Sequence, residues 1–296
     1  MRHRDHVCVV RNHTHTTPGK SNQYRPLGPK QLHSRIFSGG RVVSSCESRI
    51  SMLHHNVIQR RRWLRSSRSL ALFGSLAVQS AALHIAVITG TTRTEGPPKP
   101  VLGPRVANFV CRILEERGNT VHLVDARHEN LGLLDKPAFA YSPRSLPPHL
   151  AKLQATLQEA DAYVTITPEY NHSPSPALLN ILNHFGSSVF SFKPSAIVSY
   201  SAGQWGGTRA AIALRPILSE LGCLPVSAMI HIPKAQDVLR EDGTPHEASR
   251  WDSYPDRCFS QLEWWAEAAR EQKTVCDPFT VSPSFQTDPA ERNAPN

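Results

Sequence analysis

From residue 83 onward the chain alternates between two hydrophobic regimes. Leu83-His84-Ile85-Ala86-Val87-Ile88-Thr89, Thr120 to Asp125, Ala162-Tyr163-Val164-Thr165-Ile166-Thr167, Ser195 to Tyr200 and Leu224 to Ile232 are short, nearly continuous apolar runs. Such runs predict strands buried on both faces, as in a parallel sheet. Between them the apolar positions take helical spacing. Val106, Phe109, Val110, Ile113 and Leu114 predict a helix over 104–117, ended by Gly118-Asn119. Leu150, Leu153 and Leu157 predict a second over 150–160, and Ala177 to Leu182 a third. A fourth is predicted over 208–221, ended by Gly222, and a closing helix over about 249–273, containing Trp264 and Trp265. Residues 126–148 hold four prolines and are expected to be loop. Five strands alternating with helices predict an α/β fold, a five-stranded parallel sheet with helices on both faces.

Residues 1–58 lack this periodicity and are rich in His, Ser, Arg and Pro, a composition that predicts disorder. Gln59 to Arg65 is basic and precedes the apolar run Ser69 to Val78. That order resembles a targeting segment, and starting from Met52 it fits a mitochondrial presequence; a disordered extension is the other reading. The expected organisation is therefore a basic extension over 1–82, a domain over 83–275 and a disordered tail over 276–296.

Charge supports that division. The 296-residue chain carries +9, yet residues 1–82 hold 14 of the 33 Lys and Arg against Asp5 and Glu47 alone, which leaves the rest at −3. The domain therefore has no basic footprint for nucleic acid. Six cysteines form no CxxC pair, and no Cys/His spacing matches a zinc site, so no metal is expected and reduced thiols are. No apolar run approaches the ~20 residues needed to span a membrane.

In an open α/β sheet, ligands bind beyond the carboxyl ends of the strands. The loop after the first strand, Gly90-Thr91-Thr92-Arg93-Thr94, runs to Pro104-Arg105 at the helix start, and its hydroxyls and arginines suit a phosphate at a helix N-terminus. It is neither a GxGxxG nor a P-loop, so a mononucleotide phosphate is the natural guest. After the third strand comes Pro168-Glu169-Tyr170-Asn171. Tyr170 can lie against a flat ring, while Glu169 and Asn171 can equally tie down the loop or cap the helix. After the fourth comes Ser201-Ala202-Gly203-Gln204-Trp205-Gly206-Gly207, whose glycines let the backbone approach a ligand closely.

These loops carry a resemblance. Pro168-Glu169-Tyr170-Asn171 followed by Pro176-Ala177-Leu178, the stretch Ser199 to Leu218, and Gly90-Thr91-Thr92-Arg93 are similar to the signatures of the NADPH-dependent FMN reductase family, which is flavodoxin-like in fold. The resemblance covers about residues 83–232. It implies a three-layer sandwich that binds FMN and uses NADPH or NADH to reduce a flavin, quinone or similar small acceptor. It assigns phosphate contacts to Thr91, Thr92 and Arg93, and ring contacts to Pro168, Glu169, Tyr170 and Asn171 and to Ser201, Ala202, Gly203, Trp205, Gly206 and Gly207. Relative to the family the first loop is longer, with Gly96-Pro97-Pro98-Lys99-Pro100 inserted, and Arg105 is a candidate substitute phosphate partner. No catalytic side chain is implied, because the cofactor carries the redox chemistry. A homodimer or homotetramer in the cytosol is the expected form. An FMN-binding electron carrier or redox sensor with little NADPH turnover is the alternative.

Overall fold

The computed structural model describes residues 81–281. The expectations on residues 1–80 and 282–296 lie outside them. In chain order the elements are β1 (His84–Thr89), α1 (Leu102–Glu116), β2 (Thr120–Asp125), α2 (Pro148–Glu159), β3 (Ala162–Tyr170), β4 (Ser173–Pro174), α3 (Pro176–Asn183), α4 (Ser187–Phe190) and β5 (Pro194–Tyr200). They continue with α5 (Thr208–Glu220), β6 (Leu224–Pro225), β7 (Ile230–Ile232), α6 (Ala235–Val238), α7 (Ala248–Trp251), α8 (Asp256–Val275) and α9 (Pro278–Val281). The loop over 126–148 contains one 3-10 turn, Ala138–Ala140.

The strands order as β2-β1-β3-β5-β6, with β7 also pairing β5, and all of these pairs are parallel. The chain runs outward from β1 to β2, then crosses back to β3 on the other side of β1. The β1/β3 boundary is thus a topological switch point, the place where an open α/β sheet leaves a crevice for a ligand. Alternation along each strand divides the core in two. Ile85, Val87, Val164, Ile166 and Val198 pack against Val106, Phe109 and Val110 of α1 and Phe259 and Leu262 of α8. Ala86, Ile88, Tyr163 and Ile197 pack against Leu153 and Leu157 of α2, Leu178 and Ile181 of α3 and Leu214 of α5. Burying each large apolar side chain contributes about 1.5–3 kcal/mol, so both layers are needed to fix the sheet.

Three departures from the sequence reading have physical causes. β3 does not stop at Thr167 but runs on to Tyr170, because Glu169 and Tyr170 pair antiparallel with Pro174 and Ser173. Asn171 and His172 turn this hairpin with φ of 50° and 64°, the left-handed pair a two-residue type I′ turn requires. The strand expected over 224–232 splits into β6 and β7. Pro225 has no N–H to donate, and the intervening residues leave the sheet to meet Gln261 of α8, whose Oε1 accepts from Ser227 Oγ and Ala228 N. Arg215 of α5 donates to the carbonyls of Val226 and Pro225 across the break. The closing helix begins at Asp256 after Pro255, and residues 278–281 form a helical turn where a disordered tail was expected.

Candidate functional site

The carboxyl ends of β1, β3 and β5 surround a cavity of 180 Å³ lined by Thr91, Arg93, Pro97, Pro98, Val101, Leu102, Gly103, Pro168, Glu169, Tyr170, Tyr200, Ser201 and Ala202. The sheet register makes this convergence: Thr89 pairs with Ile166, and Pro168 stands beside Tyr200. Of the residues expected from the sequence, the wall therefore unites Thr91, Arg93, Pro168, Glu169, Tyr170, Ser201 and Ala202. It does not include Thr92, Arg105, Asn171, Gly203, Trp205, Gly206 or Gly207.

The β1 loop is set by close packing. Gly90 donates to Ile166 O at 2.8 Å, and a Cβ on Gly90 would stand 2.4 Å from Leu178 Cβ, so a larger residue would push α3 away. Ser175 is the cap of α3. Its Oγ accepts from Leu178 N and donates to Gly90 O, which buckles the loop onto the helix. Neither Asn171 nor Glu169 caps α3.

The loop then delivers Thr91 to the start of α1. Val101 precedes that helix with extended backbone and no side-chain cap, and no acidic residue lies in its first turn. The N–H groups of Leu102 and Gly103 in the first turn have no intrahelical partners, and both residues line the cavity. A Cβ on Gly103 would stand 2.2 Å from Thr91 Cγ2 and 3.1 Å from the Tyr200 hydroxyl. Glycine is thus what lets the loop, the helix start and β5 meet. Open N–H groups, the positive end of a helix dipole, a hydroxyl and a guanidinium are together a combination that suits an anion.

Tyr200 is the main residue that sequence reasoning missed. It is 4% exposed and lines the cavity. Burial pushes its hydroxyl well above the usual phenol range; a hydrogen bond to Thr91 and the charges of Arg93 and Arg127 pull the other way. It stays protonated at neutral pH. Asp125, at the end of β2, is a second buried polar residue at a strand end, outside the cavity wall. Burial raises its carboxyl, but Arg127 outweighs this through its hydrogen bonds and charge and holds Asp125 below the usual carboxylate range. Arg127 Nε lies 3.0 Å from both Asp125 oxygens. The available signal was position: both residues end strands neighbouring the switch point.

Glu169 has a clear occupation. Its Oε2 accepts from Arg209 N at 3.2 Å and its Oε1 pairs with the Arg209 guanidinium, which ties the β3–β4 hairpin to the start of α5. Arg105 is likewise committed. Its Nη1 donates to Leu239 O and its Nη2 to Pro100 O, each at 3.0 Å, and its side chain stays outside the cavity wall.

The glycine loop is held from behind. Ser201 N donates to Ile232 O, Ala235 N to Ser201 O and Lys234 N to Gly203 O. Gln236 Nε2 donates to Ala202 O. Ser199 Oγ donates to Gly206 O and lies 2.8 Å from His231 Nδ1. Gly206 and Gly207 have φ of 60° and 76°, and a Cβ on Gly207 would meet the Tyr200 backbone at 3.0 Å. Trp205, 62% exposed, projects from this loop, with the Arg209 guanidinium 5.9 Å from its ring centre.

A roomier apolar groove of 710 Å³ lies at the opposite end of the sheet, between Phe192 and Lys193 before β5, Pro194 at its start, and Trp265, Ala269 and Lys273 of α8. None of the loop motifs reaches it. Cys111, Cys223 and Cys258 are pushed up to about 12 by burial, which leaves them unreactive as nucleophiles.

The chain is similar to known proteins. An NAD(P)H-dependent FMN reductase of Pseudomonas aeruginosa is 34% identical over 101 residues, covering 33% of this chain and 55% of that protein. The chain thus spans about half the length of that relative. An NADPH azoreductase of Bacillus sp. (strain OY1-2) is 33% identical over 166 residues, covering 55% of this chain and 85% of the azoreductase. Among solved structures, RosB with bound 8-demethyl-8-formylriboflavin-5'-phosphate has a similar fold, with a TM-score of 0.50 at 14% identity over 70% of this chain and 89% of RosB. Residues 83–237, just over half the chain, match the sequence model of the NADPH-dependent FMN reductases; the chain belongs to that family.

Proposed function

We propose that the domain binds FMN above β1, β3 and β5 and catalyses NAD(P)H-dependent reduction of a small-molecule acceptor such as a flavin or quinone. The observation that carries this reading is the convergence of Thr91, Arg93, the uncapped start of α1, Tyr170 and Ser201–Ala202 on one cavity at the switch point. Family membership and the FMN reductase and azoreductase relatives support it.

The residues fit the cofactor. The Thr91 hydroxyl, the Arg93 guanidinium and the N–H groups of Leu102 and Gly103 are the phosphate ligands we propose. The backbones of Pro168–Asn171 and of the loop 201–207 are proposed to hold the ring, with Thr92 at the loop's outer edge. Tyr170 and exposed Trp205 would select flat acceptors. When bound, FMN supplies the hydride chemistry, accepting from NAD(P)H and giving to the acceptor. The protein's part is orientation, so no side chain is assigned as acid, base or nucleophile. Tyr200 is proposed to keep Thr91 aligned through the hydrogen bond between their hydroxyls.

The assembly we propose is a homodimer or homotetramer, for which exposed Leu133 and Phe139 offer apolar surface beside the loop that Asn180 anchors. We propose a cytosolic location. No helix among the described residues is long and apolar enough to cross a membrane.

The test is direct. Purified full-length chain should hold FMN, and NADPH added without oxygen should bleach the oxidised-flavin absorbance, which quinone then restores. No NADPH oxidation with both FMN and quinone present would overturn the reading. Bound flavin that NADPH leaves oxidised would favour an electron carrier or sensor.

A further inference from the structure

Twelve residues, Gly90 to Val101, separate β1 from α1, against the ~2–6 that usually join a strand to its following helix. The excess is pinned. Arg93 folds back so that its Nη2 donates to Glu95 O at 3.3 Å and Pro97 O at 2.9 Å. Its guanidinium fills the space beside Gly96, where a Cβ would stand 2.6 Å from Nη2. Nε and Nη1 of Arg93 are not used in these bonds, so it can staple the segment and still face an anion.

The other end is held by Arg105, only 6% exposed. Its bonds to Pro100 O and Leu239 O join the segment to the end of α6, and the start of α6 is tied to Ser201. Its Nε is buried without a partner, a polar cost of placing a guanidinium there. Between these anchors Pro97 and Pro98 line the same cavity as Thr91, Arg93 and the start of α1.

We propose that Glu95–Pro100 is a strap, held by Arg93 and Arg105, across the phosphate end of the flavin site, and that it makes FMN a retained prosthetic group instead of an exchanging substrate. Arg105 is then a positioning residue, acting through Pro100. The inference rests on the FMN-binding reading above and adds retention to it. A cavity of 180 Å³ is below the ~300–1,000 Å³ of enclosed ligand pockets. It has room for the phosphate end, and the strap closes on that end. A structural change confined to such a wall acts mainly on the dissociation rate.

The experiment compares full-length chain with a variant whose residues 95–99 are replaced by Gly-Ser. Each is loaded with FMN or riboflavin, and release on dilution is followed by recovery of flavin fluorescence. The shortened variant should release FMN at least about tenfold faster, with riboflavin release changed less than about twofold. Melting of the flavin-free chains should agree within a few degrees. Arg105→Met should also speed FMN release, and Arg105→Lys should restore part of it. The shortened variant leaves Arg105 untouched, so it reads the strap even where Arg105→Met lowers stability. Equal FMN release from wild type and the shortened variant would overturn the strap. Wild type that holds no flavin overturns the FMN reading and the strap with it.

Discussion

Glu169 and Arg209 join two walls of the site: one carboxylate oxygen accepts the Arg209 backbone N–H at 3.2 Å while the other pairs with its guanidinium. The side chain of the acid is 7% exposed and that of the arginine 43%, and the acid sits at the positive end of α5, where a negative charge is favoured. Removing the carboxylate frees the first turn of α5 and loosens the β3–β4 hairpin together. Glu169→Ala should cost about 1–2 kcal/mol of stability, the low end for a charge-assisted bond whose partner is partly solvated. Glu169→Gln keeps an acceptor for the N–H and should cost less. FMN affinity should fall with both, most for Ala. Denaturant melts with flavin titration check this, and an Ala variant with unchanged affinity would show that the tie does not bear on the site.

Gly103 is the tightest point of the proposed anion site. A methyl there would overlap Thr91 Cγ2 and press on the Tyr200 hydroxyl. Gly103→Ala must therefore displace Thr91 or shift the start of α1. FMN binding should weaken by at least about tenfold, roughly 1.4 kcal/mol. Riboflavin, which lacks the phosphate, should be affected much less. Titration of both flavins reads the difference, and equal weakening of the two would mean that the methyl disturbs the ring wall instead.

The loop 201–207 is held by a relay. Ser199 spends its one proton on Gly206 O, so its oxygen accepts from His231, which places the His231 proton on Nδ1. Burial lowers the His231 pKa below the ordinary histidine value, which keeps the ring neutral at pH 7. Ser199→Ala leaves the Gly206 carbonyl without its donor. Amide exchange over 203–207 should rise about tenfold, the effect of losing roughly one net hydrogen bond, and FMN affinity should fall by a smaller factor. Exchange that stays at the wild-type rate would show that the ties to residues 232–236 suffice.

Much of this was legible in the chain. The strand from Thr120 to Asp125 has the boundaries its apolar run predicted, and β1, β3, β5, α1, α2 and α5 differ from theirs by a few terminal residues, whereas the run 224–232 splits in two. Buried strands and amphipathic helices write their periodicity into local sequence, so this is where reading works. The loop motifs also proved to be neighbours, because alternating strands and helices leave few topologies and each puts strand ends along one edge. What stayed hidden depends on partners remote in sequence. Tyr200 looked like the last residue of a strand, and only the order β1-β3-β5 brings its hydroxyl to Thr91. Arg105 looked like a phosphate ligand by its place near a helix start, but Leu239, far along the chain, claims its guanidinium. Thr167 looked like a strand end because the hairpin that prolongs β3 needs left-handed backbone at Asn171 and His172, which residue type permits without demanding.

Lys193 gives the protein a signature in its response to pH. Its ammonium is buried at the end of α2, 2.7 Å from Gln158 O, 3.0 Å from Leu157 O and 3.0 Å from the Tyr163 hydroxyl. Burial, with a smaller contribution from Lys273, lowers its pKa to about 8 from 10.5. The folded chain then gives up this proton before the unfolded chain does. Between about pH 8 and 10.5 the unfolded state binds more protons, so this residue's contribution to stability rises with pH and is lost again as pH falls through 8. The ceiling is about 3 kcal/mol for a shift of this size, and the three acceptors, which favour the charged form, act to reduce it. Buried thiols and tyrosines titrate in the opposite sense, so the measurable quantity is the difference between wild type and Lys193→Met. Denaturant melts of both from pH 7 to 10.5 should show wild type gaining on the variant as pH rises. A difference that is flat across the range would mean that the two carbonyls and the Tyr163 hydroxyl keep Lys193 charged, and that its role is to cap α2.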